Sequence, residues 1–119
     1  MQYLLLIYDD EKKWGKVPEA EQARIMKEYR DLTQSIVKSG NYRAGDQLQP
    51  AATATCVREK DGKALTTDGP YAEAKEQLAG YYLIEAKDLD EAVAITKRIP
   101  SVRLGGAVEV RPIVPRSPD

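Results

Sequence analysis

The sequence predicts an α+β domain of element order β-α-β-β-β-α-β, an antiparallel sheet with two helices on one face. Short apolar runs bounded by turn residues mark strands at residues 3–8, 53–59, 80–86 and 107–114. A long amphipathic stretch over residues 18–39 marks one helix, and a second helical pattern opens at Asp88. Each helix lies between two strands, and connections of that kind put both helices on the same side of a sheet. The other face is then left for a second copy of the chain, giving a two-subunit, barrel-like stack.

Residues 3–8 are a continuous apolar run ending at Asp9-Asp10, as expected of a buried central strand. Residues 9–17 are polar and read as a loop. Pro18 suits the first position of a helix. Ile25, Tyr29, Leu32 and Ile36 then recur on one helical face, and Gly40 supplies a left-handed stop. Residues 41–52 contain Gly45 and Pro50 and read as an irregular connection. Residues 53–59 and 63–67 form a hairpin around Asp61-Gly62. Residues 72–77 read as loop or a short helical turn, and residues 80–86 as a strand. Asp88 caps the second helix with Glu91 as its reciprocal partner, and Pro100 ends it. In the last strand Val108 and Val110 alternate with Glu109 and Arg111. Residues 1–114 form the domain and residues 115–119 a polar tail.

Composition narrows the chemistry. The chain has 119 residues, 31% charged and 42% apolar, with a net charge of −1. Such a balance is that of a folded globule and not of a nucleic-acid binder, which would show a basic stripe. No apolar run approaches the roughly 18 residues of a membrane span, and the apolar start lacks the basic region and cleavage site of a signal peptide. The single cysteine, Cys56, forbids an intrachain disulfide and suits a reducing cytoplasm. Its place inside a strand, with no basic partner in view, favours a structural thiol. There is no histidine. Imidazole bases, Ser-His-Asp triads, Cys-His dyads and histidine metal sites are therefore excluded. The acidic residues are scattered without ligand spacing, so no metal or other cofactor is expected.

The most informative stretch runs from Thr66 through the turn Asp68-Gly69-Pro70-Tyr71 to Tyr82. Asp-Gly-Pro is a turn for physical reasons: aspartate bonds its own following backbone, glycine tolerates positive φ, and proline fixes φ. Taken alone the tripeptide reverses the chain. Here it also gathers Asp68, Tyr71, Glu73, Lys75, Glu76 and Gln77 between strands, where sites tend to lie. Lys75 also has a plain reading, as a surface ion pair with Glu73 or Asp68.

The turn and the residues after it, Glu73, Lys75, Glu76, Gln77, Leu78, Gly80 and Tyr82, resemble the DGPF motif of the YCII-related family, with Tyr71 where phenylalanine is usual. Residues 3–8, 45–50 and 88–92 resemble the family's opening strand, post-helix segment and second-helix start. The chain departs from the pattern at Tyr71 and Ala74. The resemblance implies a ferredoxin-like α+β fold that pairs into a dimeric α+β barrel, with a cleft near the motif. Some relatives resemble enzymes built on a His-Asp pair. That mechanism cannot be carried over without a histidine, although Asp68 can still correspond to the acidic member. The DGPF branch is also associated with extracytoplasmic-function sigma factors, which implies a regulatory or accessory role.

The expectation is a homodimer whose cleft receives a small molecule. In its catalytic form Asp68 is the acid or base of a lyase- or isomerase-like proton transfer. The ligand-binding candidates are Tyr3, Gly69, Pro70, Tyr71, Lys75 and Gln77. The rival expectation is a non-enzymatic partner of a sigma factor.

Overall fold

The fold is described from a computed structural model over residues 1–116. The polar tail expected over 115–119 is represented there by Pro115 and Arg116, and the rest of it lies outside the described residues. The strands are β1 (Gln2–Asp9), β2 (Tyr42–Gln47), β3 (Thr55–Lys60), β4 (Lys63–Asp68), β5 (Gln77–Glu85) and β6 (Ala107–Pro112). The helices are α1 (Glu11–Trp14), α2 (Glu19–Lys38), α3 (Leu89–Thr96) and α4 (Pro100–Arg103). A 3-10 turn spans Ala51–Thr53.

Four strands form an antiparallel sheet in the order β2-β5-β1-β6, the ferredoxin-like arrangement of two interleaved β-α-β units. The alternation of β1 sets its faces. Tyr3, Leu5 and Ile7 point into the core, beside Tyr82 and Ile84 of β5. Leu32 and Ile36 of α2, Ala92 and Ile95 of α3, and Ile99 cover them. Both helices therefore pack on one face, as the sequence predicts. Full burial of a leucine or isoleucine is worth about 1.5–3 kcal/mol, and Leu5, Ile36 and Ile84 are fully enclosed.

Four expectations are corrected. Residues 41–52 are not merely a connection: residues 42–47 are β2, an edge strand of the main sheet. Its glycine hides it from pattern reading, yet that glycine is required. A Cβ on Gly45 would stand 2.7 Å from the Tyr82 ring, so the strand can close on β5 only without a side chain there. The hairpin strands β3 and β4 do form around Asp61-Gly62, both at positive φ, but they stay outside the main sheet as a separate ribbon. Pro100 does not simply end a helix. After a break it opens α4 at its first position, where a missing N–H costs nothing. The segment after β1, read as loop, also holds the short helix α1, capped by Asp10.

The ribbon stands away from the body, with every residue of β4 exposed. The radius of gyration is 16.4 Å, against roughly 13.5 Å expected for a compact chain of this length.

A buried polar chain pins the end of β1. Ser101, 3% exposed, donates to Asp9 Oδ2 at 3.0 Å and meets the Tyr29 phenol at 2.6 Å. With the serine proton given to the carboxylate, Tyr29 donates to Ser101. The chain links β1, α2 and α4. Gly106 closes over it, because a Cβ there would sit 2.5 Å from both Asp9 Oδ1 and the Tyr8 carbonyl. Ser101→Ala leaves two partners unpaired and is expected to cost about 1–3 kcal/mol in urea unfolding.

Burial pushes the Tyr29 phenol from 10.0 up to about 12; the nearby Asp9 charge adds to this, and the Ser101 hydrogen bond opposes it. The raised value favours the folded state while the phenol keeps its proton, below pH 10.0. That contribution fades as pH rises towards 12. Stability of the wild type should therefore fall across this window with one more titrating group than in Tyr29→Phe, read by chemical unfolding at stepped pH.

Candidate functional site

The site is built where three chain segments meet beyond one end of the sheet. The first is the turn after β4. Asp68 ends that strand opposite Thr55. Gly69 follows at φ 102°, a conformation that favours glycine. Its N–H donates to the Ala54 carbonyl at 2.8 Å, and its own carbonyl accepts from Cys56 Sγ at 3.3 Å. The turn is thus clipped across the base of the ribbon. Cys56 takes part as a half-buried structural donor.

The second segment follows β1. Asp10 caps α1 by accepting from the N–H groups of Lys12 and Lys13 at 3.0 and 3.4 Å. The third is the 3-10 turn. Glu11 Oε1 accepts from the Ala51 N–H at 2.7 Å and ties the second segment to the third. Residues 71–76 then run without helix or strand to Gln77, whose side chain donates to the Ala74 carbonyl at 2.6 Å.

Between these segments lies an open cleft of about 740 Å³, within the usual range for small-molecule sites. Asp10, Glu11 and Lys12 line it together with Ala51 and Ala52. Asp68, Gly69 and Pro70 line it as well, with Glu73, Ala74, Lys75 and Gln77.

The sequence candidates divide accordingly. Asp68, Gly69, Pro70, Lys75 and Gln77 stand together on the cleft. Tyr3 does not: it is 4% exposed in the core under the helices. Tyr71 lies off the cleft lining, 78% exposed, with the Arg58 guanidinium 4.8 Å above its ring centre. Pattern reading missed the lining residues Asp10, Glu11, Lys12, Ala51 and Ala52. Asp10 carried a signal, an aspartate in position to cap a helix, but nothing in the sequence joined it to residues some sixty positions later.

The Asp68 carboxylate is exposed and makes no hydrogen bond or ion pair among the described residues. The turn is held by backbone bonds, so this side chain is free for another partner. Among the described residues no three acidic or thiol side chains gather as a metal site. Chemically the cleft offers fixed polar walls, exchangeable charges of both signs and small apolar surfaces.

The YCII-related domain model matches residues 1–117. An uncharacterized protein of Rhizobium meliloti is 33% identical over 114 residues, which cover 95% of this chain and 92% of that protein. With the ferredoxin-like sheet and the motif at its edge, these matches give the chain its place: it belongs to the YCII-related domain family.

Proposed function

We propose that the protein is a small-molecule-binding domain that works as a homodimer, with its ligand in the cleft beside Asp68. The observation that carries this reading is an uncommitted carboxylate on a clipped turn, facing a cleft walled by three separate segments. Catalysis by Asp68 is the stronger form of the same reading, with Lys75 orienting the substrate.

Asp68→Ala tests it, because the turn's backbone bonds do not use the side chain. The variant should keep its unfolding midpoint within about 0.5 kcal/mol of wild type, as surface substitutions do. It should also lose the amide shifts that a library of small polar molecules produces at Gly69, Ala74 and Lys75 in two-dimensional NMR. Unfolding of the variant would make Asp68 architectural.

The pairing is supported by the uncovered sheet face. Leu4, Leu6 and Tyr8 of β1 and Leu83 of β5 alternate with the core residues, lie outside the core cluster and stay partly exposed. A second copy laid on this face would cover them. Leu6→Glu should convert a sedimenting dimer into a folded monomer. A wild type that sediments as a monomer at tens of micromolar would overturn the pairing.

The ribbon favours a second reading. Val57 and Leu65 are 65% and 47% exposed on it, and Tyr71 stands at its base. A protein partner, for instance a sigma factor, would find an apolar, projecting surface there.

A further inference from the structure

We infer that one face of the β3-β4 ribbon docks a short, extended, acidic segment of a partner protein. The inference rests on reading the ribbon as a partner surface and names the chemistry of what it holds.

The register of the ribbon sorts its side chains. Residues paired across two antiparallel strands share a face, and the faces alternate along each strand. Thr55 with Asp68, Val57 with Thr66 and Glu59 with Ala64 make one face. Cys56 with Thr67, Arg58 with Leu65 and Lys60 with Lys63 make the other. The cations of both strands, Arg58, Lys60 and Lys63, thus share one face, while the carboxylates of both strands, Glu59 and Asp68, share its opposite. The contacts agree with this sorting. Cys56 and Arg58 both reach the turn after β4, the thiol at the Gly69 carbonyl and the guanidinium over the Tyr71 ring.

The cationic face lacks anions. Arg58, Lys60 and Lys63 are exposed, and among the described residues none of them makes an ion pair. Lys60 stands directly opposite Lys63, and like charges so placed weaken a strand pair. A two-stranded ribbon is marginal in water by itself, and this one pairs with no third strand. Carboxylates laid across the face would relieve the repulsion. Leu65, 47% exposed, and Tyr71 add apolar contacts among the cations.

The same geometry selects the occupant. Arg58 and Lys60 stand two residues apart, roughly 7 Å along the strand, which is the spacing of alternate side chains in another extended chain. A nucleic acid or an anionic bilayer carries its charge far beyond strands of six residues. It would run on to a protein of net charge −1 with no basic stripe to follow it. An acidic segment ends where the cations end. The contacts are exposed, so a short peptide binds weakly and in a salt-sensitive way.

The test is a titration of the ¹⁵N-labelled protein with three hexapeptides, in which leucine alternates with glutamate, glutamine or lysine. Oligothymidylate and phosphatidylserine vesicles are the comparison set. The glutamate peptide should shift the amides of Arg58, Lys60, Lys63 and Leu65, and added salt should reverse the shifts. In the double variant Lys60→Glu, Lys63→Glu its binding should weaken about fivefold or more. The lysine peptide should bind that variant better than it binds the wild type, a gain that requires a folded ribbon.

A glutamine peptide that binds the ribbon as well as the glutamate peptide would overturn the inference and leave the partner-surface reading standing. A ribbon that prefers oligothymidylate or vesicles would overturn it in favour of that polyanion. No ribbon shift from any peptide would count against both, and would leave the lysines as guards against edge pairing.

Discussion

Burial of one face of β1 and β5 beneath α2 and α3 is the constraint on which the rest of the structure depends. Leu5 sits in a cross-strand row that runs from Gly45 through Tyr82 and Leu5 to Val110. Slipping any of these strands by one residue would exchange its core and outer faces, so the row fixes the register of all four. Tyr82 shows how narrow the solution is. Its phenol bonds Thr33 of α2 at 2.7 Å, its ring meets Tyr42 edge-on at 6.3 Å, and its flank requires a bare Gly45.

Register in turn positions the cleft. Asp9 pairs with Gln77, so the segment after β1 and the segment before β5 leave the sheet side by side. The Asp9-Ser101-Tyr29 chain holds that end of β1 to two helices. Asp10, Glu11 and Lys12 start from there, and Glu11 then fastens the turn that leads into the ribbon. The Asp-Gly-Pro-Tyr turn closes the circuit, clipped to Ala54 at the ribbon's base. Packing at the centre of the sheet is thus passed outward, through side-chain links and a backbone clip, to side chains that carry no packing role.

This division of labour bears on function. Residues that hold the turn are bonded through their backbones or point inward, whereas Asp68, Glu73 and Lys75 are left to solvent. A loop whose shape does not depend on its exposed charges can vary them without loss of fold. The family resemblance thus speaks to architecture first, while the chemistry rests on this chain's own side chains. The missing histidine places any proton transfer on carboxylate, lysine, phenol or the one thiol.

The sequence by itself determined the α+β class, both long helical patterns, the central strand β1, the Asp61-Gly62 hairpin and the motif turn. Each depends on local signals: periodicity, a cap, or a residue pair that prefers positive φ. Tertiary structure alone decided that Tyr42–Gln47 is a sheet strand, since Gly45 answers to a ring thirty-seven residues later. It also decided that β3 and β4 stand apart, and that Tyr3 is core while Asp10, Glu11 and Lys12 face the motif. Those outcomes are contacts between distant segments, and no local pattern encodes which segments the buried row of β1 and β5 brings together.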